Sequence, residues 1–315
     1  MIILPRYVAA EAASDIRCLA TIAFSQAPAA DFSLVVPMRQ LGSALRVESW
    51  TGADRLTGTR SGALHSVSTS DFLLGWISGS LDAPLERSSR EVYHQILEHI
   101  AAAGYPSLLR MWNHVGSINT PEDGVERYQR FCIGRYEAFE ESGYTMGADL
   151  PAASAIGMPG RDLIVYFLAS RRPGSQLENP RQLAAYRYPP QYGPKSPSFS
   201  RATVFEDEGR AIVFVSGTSS VIGHASAHEN DVRGQLDETL INLDAIVAHA
   251  LGSGGLANFV SLKTYIRNAA DYELVAPRLE AAVPSGCSIL YLESDICRRE
   301  LLLEIEGVAV SGISG

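Results

Sequence analysis

The chain predicts an α+β fold of mixed sheets with helices packed on one face, and three observations carry that prediction. Stretches with apolar residues at helical spacing alternate with short apolar runs of strand length. The second half orders them as ββαβαββ, which favours helices segregated to one side of a mixed sheet. A proline- and tyrosine-rich segment, Arg171–Ser200, separates two well-patterned halves. The reading divides the chain into an N-terminal α+β domain, 1–155, and a C-terminal domain, 156–315.

In the first half, Leu34–Pro37 and Leu45–Glu48 read as strands, followed by a Gly-, Ser- and Thr-rich loop over Thr51–Ser66 and a strand over Phe72–Ser78. Ser88–Ala103 places Val92, Ile96, Leu97 and Ile100 at helical spacing after a serine cap, and Gly104–Tyr105–Pro106 stops it. Leu108–Asn113 reads as a short buried strand, and Gly124–Gly143 as a second helix after the cap-like Thr120–Asp123. Arg171–Ser200 holds six prolines with Tyr186, Tyr188 and Tyr192. Patternless stretches of that length are linkers or functional loops, and its aromatic and arginine content favours a packed active-site loop.

The second half begins with a hairpin, Ala202–Glu206 and Ala211–Ser216, joined by Asp207–Glu208–Gly209. Val232–Leu251 aligns Leu236, Leu240, Leu243, Ile246, Val247 and Leu251 on one helical face and ends at Gly252. Phe259–Ile266 reads as a strand, Ala269–Val283 as a helix, and Ser288–Leu292 and Leu301–Val310 as the last strands.

Composition narrows the function. With 46% hydrophobic and 19% charged residues, the 315-residue chain reads as a globular protein able to bury a sizeable core. Its net charge of −9 argues against non-specific nucleic-acid binding. Lys195 and Lys263 are the only lysines, so arginines supply the cations for any small-anion site. The four cysteines lack metal-ligand spacing, and the N-terminal stretch MIILPRYVAAEAASDIRCLA lacks the basic and long apolar regions of a signal peptide; the expectation is a reduced, cytoplasmic protein. No apolar run reaches membrane-span length. Neither His94/His99 nor His224/His228 comes with a convincing ligand set, and Gly252–Gly255 follows a helix where a phosphate cradle would precede one. Neither metal nor cofactor is expected.

The last strand carries the most chemistry. Glu304 and Glu306 sit two apart within LLLEIEGVAV, on one face, while Leu303 and Ile305 take the other. An ionised carboxylate is costly to bury, so each must be paired, solvated by a cleft or kept protonated, and the last case yields a general acid. The expectation is a glutamate face that lines a cleft or solvent. Two solvent-facing glutamates on an edge strand satisfy the same pattern.

Two resemblances sharpen this. Residues 202–310 resemble the RidA/YjgF fold in the hairpin ending Val215–Ser216–Gly217, the helix with Thr239, Leu240, Asn242 and Leu243, the strand Ser261–Tyr265 and the terminal Leu303–Glu306. That family carries a substrate-binding arginine where this chain has Pro284–Ser285–Gly286–Cys287–Ser288, which argues against plain imine deaminase activity. Over its whole length the chain is similar to the chorismatase family, in Leu109–Asn113, Glu126–Arg135, Tyr188–Arg201, Gly217–His224 and Cys297–Gly307. That resemblance implies two RidA/chorismate-mutase-like halves and cleavage of chorismate with release of its enolpyruvyl group as pyruvate.

Chorismate carries two carboxylates and an enol ether, so its site needs cations and an acid able to protonate a vinyl carbon. By resemblance the cations are Arg127, Arg135 and Arg201, and the acid is Glu304. Tyr128 and Tyr192 are candidate orienting hydroxyls, with core or loop packing as the other reading. Within the family, enzymes forming 3-hydroxybenzoate carry a cysteine and a hairpin glycine where chorismate hydrolases carry alanines; the matching residues here are Cys297 and Gly217. The implied product is 3-hydroxybenzoate. A hydrolase forming a dihydroxycyclohexadiene acid, a mixed 3-/4-hydroxybenzoate synthase and a non-catalytic metabolite sensor remain alternatives. Two halves in one chain can supply the surfaces that smaller relatives bring together as trimers, which favours a monomer.

Overall fold

A computed structural model of the protein describes residues 4–9, 18–25, 33–52, 57–79, 83–147 and 149–312. Residues 53–56 of the loop expected over Thr51–Ser66, and residues 1–3 and 10–17 of the stretch read for a leader, lie outside the described residues.

The chain opens with β1 (Pro5–Ala9), β2 (Cys18–Phe24), β3 (Leu34–Val36), β4 (Arg39–Gln40) and β5 (Arg46–Thr51). Strands β6 (Thr57–Ser61), β7 (Leu64–Ser68) and β8 (Phe72–Gly79) lead into helix α1 (Leu85–Ala102) and β9 (Ser107–Gly116). A two-strand clip, β10 (Pro121–Glu122) and β11 (Val125–Glu126), precedes helix α2 (Arg127–Glu141), followed by β12 (Ala152–Met158) and β13 (Leu163–Ser170). The second half runs β14 (Ser175–Leu177), β15 (Ala202–Asp207), β16 (Arg210–Thr218), β17 (Val221–Ile222), β18 (Ala225–Ser226), α3 (Val232–Leu251), β19 (Phe259–Ile266), α4 (Tyr272–Ala282), β20 (Ser288–Glu293) and β21 (Leu303–Val310).

These strands form a four-stranded sheet, β1-β5-β2-β3, a six-stranded sheet, β12-β9-β13-β8-β7-β6, and a seven-stranded sheet, β14-β15-β16-β21-β19-β20-β4. Both large sheets are mixed, because β12 runs parallel to β9 and β19 parallel to β20. Each carries its helices on one face, so the α+β class read from the sequence is the observed one. On the six-stranded sheet, Tyr93, Ile96 and Ile100 of α1 and Phe131 and Phe139 of α2 meet Met111, Val165 and Phe167. Gly134 lets the two helices cross closely, since a Cβ there would strike the backbone of Glu86. On the seven-stranded sheet, Leu236, Leu243 and Ile246 of α3 and Val275 and Leu279 of α4 cover Val213, Leu262, Leu303 and Ile305.

The faces away from the helices meet the four-stranded sheet in a third core, containing Phe24, Trp50, Trp112, Tyr166, Phe214, Tyr265 and Val308. Trp50 meets Trp112 edge to face at 5.6 Å, and Trp112 stacks on Tyr166 at 4.4 Å. Strand β12, at the edge of its sheet, is stitched to the second half: Ala152 N donates to Thr203 Oγ1 at 3.0 Å, Ala153 N to Ser216 Oγ at 2.8 Å and Gly157 N to the Asp295 carbonyl at 2.8 Å. These bonds satisfy backbone groups that an open edge would leave exposed.

Three departures from the sequence reading have local causes. The described part of the Thr51–Ser66 loop is the β6–β7 hairpin; β6 (TGTRS) is exposed throughout, so it lacks the alternation that marks a half-buried strand. Helix α1 begins at Leu85 with Pro84 at its N-cap and no side-chain cap, and the serines expected to cap it are buried within the helix. Strand β13 pairs with β8 and β9, so the first-half sheet continues to Ser170. We propose that the division between halves falls in the Arg171–Ser200 segment. Among the described residues, no helix is long and apolar enough to cross a membrane.

Candidate active site

A cavity of about 260 Å³ opens along the seam between the halves, over β12 and the C-terminal end of β16. Seven of the eight residues singled out from the sequence line it. Glu304 enters from β21, Cys297 from the loop before it, Gly217 from β16, Tyr128 and Arg135 from α2, and Tyr192 and Arg201 from the Arg171–Ser200 segment. Arg127 does not. Its buried guanidinium donates to the carbonyls of Gly116 and Arg161 and to Glu122 Oε1, locking the clip before α2 to the end of β9. Every nitrogen of its fork is engaged, so we assign it to structure; the sequence could not separate it from Arg135, eight residues along the same helix.

Glu304 is 5% exposed, and its nearest hydrogen-bond partner is Ser219 Oγ at 3.5 Å. Burial, reinforced by the charge of Glu306, pushes its carboxyl up to about 8; Arg110, Arg201 and Ser219 oppose the rise without cancelling it. The group is therefore an acid at neutral pH. Glu306 was expected to share a cleft with it, and the structure corrects this: Glu306 lies in closed interior. It accepts from Arg110 Nη2 and Trp112 Nε1, each at 2.7 Å, and from Ser154 Oγ, with Lys263 Nζ at 3.2 Å. Burial alone would raise Glu306, but Lys263, Arg110 and Ser154 outweigh it and hold its carboxyl below the usual range.

Two of the arginines that line the cavity are only partly satisfied by the protein. Arg135 is 2% exposed, packs its guanidinium against Tyr93, Phe131 and Phe139, and has no hydrogen-bond partner for Nε or Nη2. Arg201 donates through Nη2 to Tyr188 Oη at 2.6 Å and the Leu183 carbonyl at 3.1 Å, while its Nε is unpartnered. Buried donors without partners are rare in folded proteins, and here they border a cavity, as an anion-binding site requires.

Cys297 is a neutral thiol. Burial and the nearby Glu304 push it up to about 12, so it supplies no thiolate at ordinary pH. Gly217 is fixed by contact: a methyl there would collide with Glu304 Oε1, and its N–H donates to Ser154 Oγ at 3.1 Å. Tyr192 donates to the His224 carbonyl at 2.8 Å and lies under Arg298, whose guanidinium carbon is 4.1 Å from the ring centre. Of the tyrosines, then, Tyr192 is tied into the cavity wall. Tyr128 is half-buried against the core under α2, and desolvation holds its phenol well above the usual value.

Sequence reasoning missed Ser154, Ser219, Tyr188, Phe199 and Arg298, which also line the cavity. Serines in short runs carry no local signal, but Arg298 adjoins Cys297, and Tyr188 and Phe199 fall within Tyr188–Arg201. It also missed the partners of Glu306. Arg110 and Lys263 each interrupt an apolar strand, LLRMW and VSLKTY, and such interruptions are the available sign of a buried ion pair.

A protonated carboxyl and partly unpaired arginines lining one cavity fit an acid–base enzyme acting on a small anion. The family model for "Chorismatase FkbO/Hyg5-like, N-terminal" matches residues 48–169. A 3-hydroxybenzoate synthase of Streptomyces hygroscopicus is 39% identical over 236 residues, 71% of this chain and 69% of that protein. A chorismatase of Streptomyces rapamycinicus is 37% identical over 278 residues, 83% of this chain and 82% of that one. The crystal structure of a chorismatase superimposes with a TM-score of 0.89 at 29% identity, covering 98% of this chain and 99% of the other. The chain belongs to the chorismatase family.

Proposed function

We propose that the protein cleaves chorismate to 3-hydroxybenzoate and pyruvate, with Glu304 as proton donor. The observation that carries this reading is a carboxyl held to about 8 in the same cavity as Arg135 and Arg201. A proton donor to carbon must hold its proton at working pH and reach the carbon, and a buried glutamate meets the first demand without a metal or cofactor. Arg135 and Arg201 would bind the two substrate carboxylates through the fork nitrogens that the protein leaves unpaired. Tyr192, anchored to His224, and Tyr188, bonded to Arg201, would hold the ring edge.

Glu304 gives its proton to the vinyl methylene, forming a methyl group and an oxocarbenium-like centre. The bond from the ether oxygen to C3 breaks and pyruvate leaves. If the substrate's C4 hydroxyl oxygen bonds to C3 and its bond to C4 then breaks, loss of the C3 ring proton completes the aromatic product, and chorismate equals pyruvate plus hydroxybenzoate with no water consumed. The neutral Cys297 and the bare Gly217 support this course over hydrolysis, because an uncharged thiol in the cavity wall offers water no anionic partner while the glycine leaves room for Glu304 beside it. Both halves of one chain contribute to the site, which supports a monomer as the active form.

Incubation with chorismate, followed by chromatography and a pyruvate assay, tests the reading. Equal amounts of 3-hydroxybenzoate and pyruvate are expected, and in ¹⁸O-labelled water the aromatic product stays unlabelled. Absence of pyruvate release would sink the proposal, and a diene diol, labelled if water attacks C3 and unlabelled if it attacks the oxocarbenium carbon, would replace the synthase by a hydrolase.

A further inference from the structure

We propose that Glu306 is a positioning residue for the reaction: held as a carboxylate by Lys263 and Arg110, it sets a fixed negative charge on the strand face that bears Glu304 and so keeps Glu304 protonated. The inference rests on Glu304 being the proton donor.

The geometry is a buried ionic cluster sealed from the cavity. Lys263 Nζ lies 2.6 Å from Glu48 Oε2, 3.2 Å from Glu306 Oε1 and 2.6 Å from Tyr166 Oη, and Arg110 Nη2 lies 2.7 Å from Glu306 Oε2. All four charged side chains are nearly inaccessible, and they balance, two acids against two bases. Such a cluster gives little net stability over well-packed apolar residues, so its presence in the central core calls for another role. Glu306 is the one member of the cluster on the strand of Glu304, two residues away on the same face. Ser154 Oγ ties the two environments together: it donates to Glu306 Oε2 and accepts from the Gly217 N–H, beside which the Glu304 carboxyl rests.

Glu304 is faced by Arg110 of β9, Arg201 before β15, Ser219 after β16 and Cys297 before β21, and among these charges Glu306 acts on it more strongly than either arginine. Glu306 is faced by Arg110, Trp112 and His114 of β9, Ser154 of β12, Tyr166 of β13, Lys263 and Tyr265 of β19, and, further off, Glu48 of β5 and Tyr7 of β1. Burial keeps His114 and the three tyrosines neutral at ordinary pH. Two like charges about 7 Å apart in a medium of effective dielectric about 20 separate their titrations by roughly one to two pH units. That is enough to decide whether a buried glutamate is an acid or a base near neutrality.

The test is the pH dependence of kcat/KM for pyruvate release, which reports the free enzyme's groups. The unaltered protein loses activity as pH rises through about 8, where Glu304 gives up its proton. In Glu306→Gln that limb is expected to move down by about one pH unit, roughly a tenfold disproportionate loss at pH 9 relative to pH 6. Glu306→Asp, which keeps the charge, leaves the limb within a few tenths of its place. The double variant Lys263→Met/Glu306→Gln keeps the cluster's charge balanced and is the form to use if the single variant does not fold, with folding read by near-ultraviolet circular dichroism. A limb that stays put in a folded variant overturns the inference, and so does failure of both variants to fold, which would assign Glu306 to structure alone. Glu304→Gln separates the two readings. If it still turns over, the donor assignment is lost; if it is inactive while the Glu306→Gln limb is unmoved, this inference alone is lost.

Discussion

Glu304 and Glu306 stand two residues apart on one face of β21, 5% and 2% exposed, and live in opposite electrostatic worlds. Glu306 has four donors from three strands, among them two cations, and its carboxyl is held below the usual range. Glu304 has one distant hydroxyl and a like charge beside it, and its carboxyl rises to about 8. Burial acts on both in the same direction; the donors decide the outcome. One carboxylate is held in the interior as an anion, and the other is left under-solvated at the wall of a cavity, the condition that an acid catalyst needs.

The sharpest way to break this comparison is to remove the acid. Glu304→Gln is expected to lower pyruvate release about 10²- to 10⁴-fold, the usual contribution of a general acid, while a non-reactive chorismate analogue still binds by calorimetry. The same variant should be more stable than the unaltered protein at pH 8, measured by urea unfolding. The sign follows from proton linkage: Glu304 keeps its proton in the folded state up to about 8 but loses it in the unfolded chain near the ordinary carboxyl range, so folded stability falls as pH rises between the two.

Lys263→Met attacks the other side. It leaves Glu48 and Glu306 buried with Arg110 as the remaining cation, and a loss of about 3–5 kcal/mol in urea unfolding is expected. Arg135→Lys keeps the charge but loses the planar fork, and KM for chorismate should rise roughly 10- to 100-fold with a smaller change in kcat. A KM left where it was would remove Arg135 from the binding site. The smallest expected effect is that of Cys297→Ser. Its thiol is neutral well past the working range, so the high-pH limb of activity should not move, and any change belongs in the product ratio seen by chromatography.

Much of the site was legible because its chemistry is written in residue types that rarely sit in apolar strands. LLLEIEGVAV places two carboxylates on one face of an apolar strand, a face read as cleft or solvent, and the amphipathic spacing of Val232–Leu251 gives α3 to the residue. The β6–β7 hairpin was not legible, because an exposed polar edge has no inside and outside to alternate between. Arg127 and Arg135 look alike in sequence; only the carbonyls of Gly116 and Arg161, brought to Arg127 by the ends of β9 and the β12–β13 turn, make one structural and leave the other facing the cavity.

The sequence by itself determined the α+β class, the family and the pair of glutamates on one strand face, because these depend on local periodicity and on residue types at fixed spacing. Only the tertiary structure chose which glutamate keeps its proton near neutrality, where the sequence pointed to Glu304 through family resemblance alone. That choice depends on Lys263, Arg110, Trp112 and Ser154, which three other strands deliver to Glu306 and withhold from Glu304, and the proton affinity of a buried carboxyl is set by the donors and charges within a few ångströms, wherever in the chain they come from.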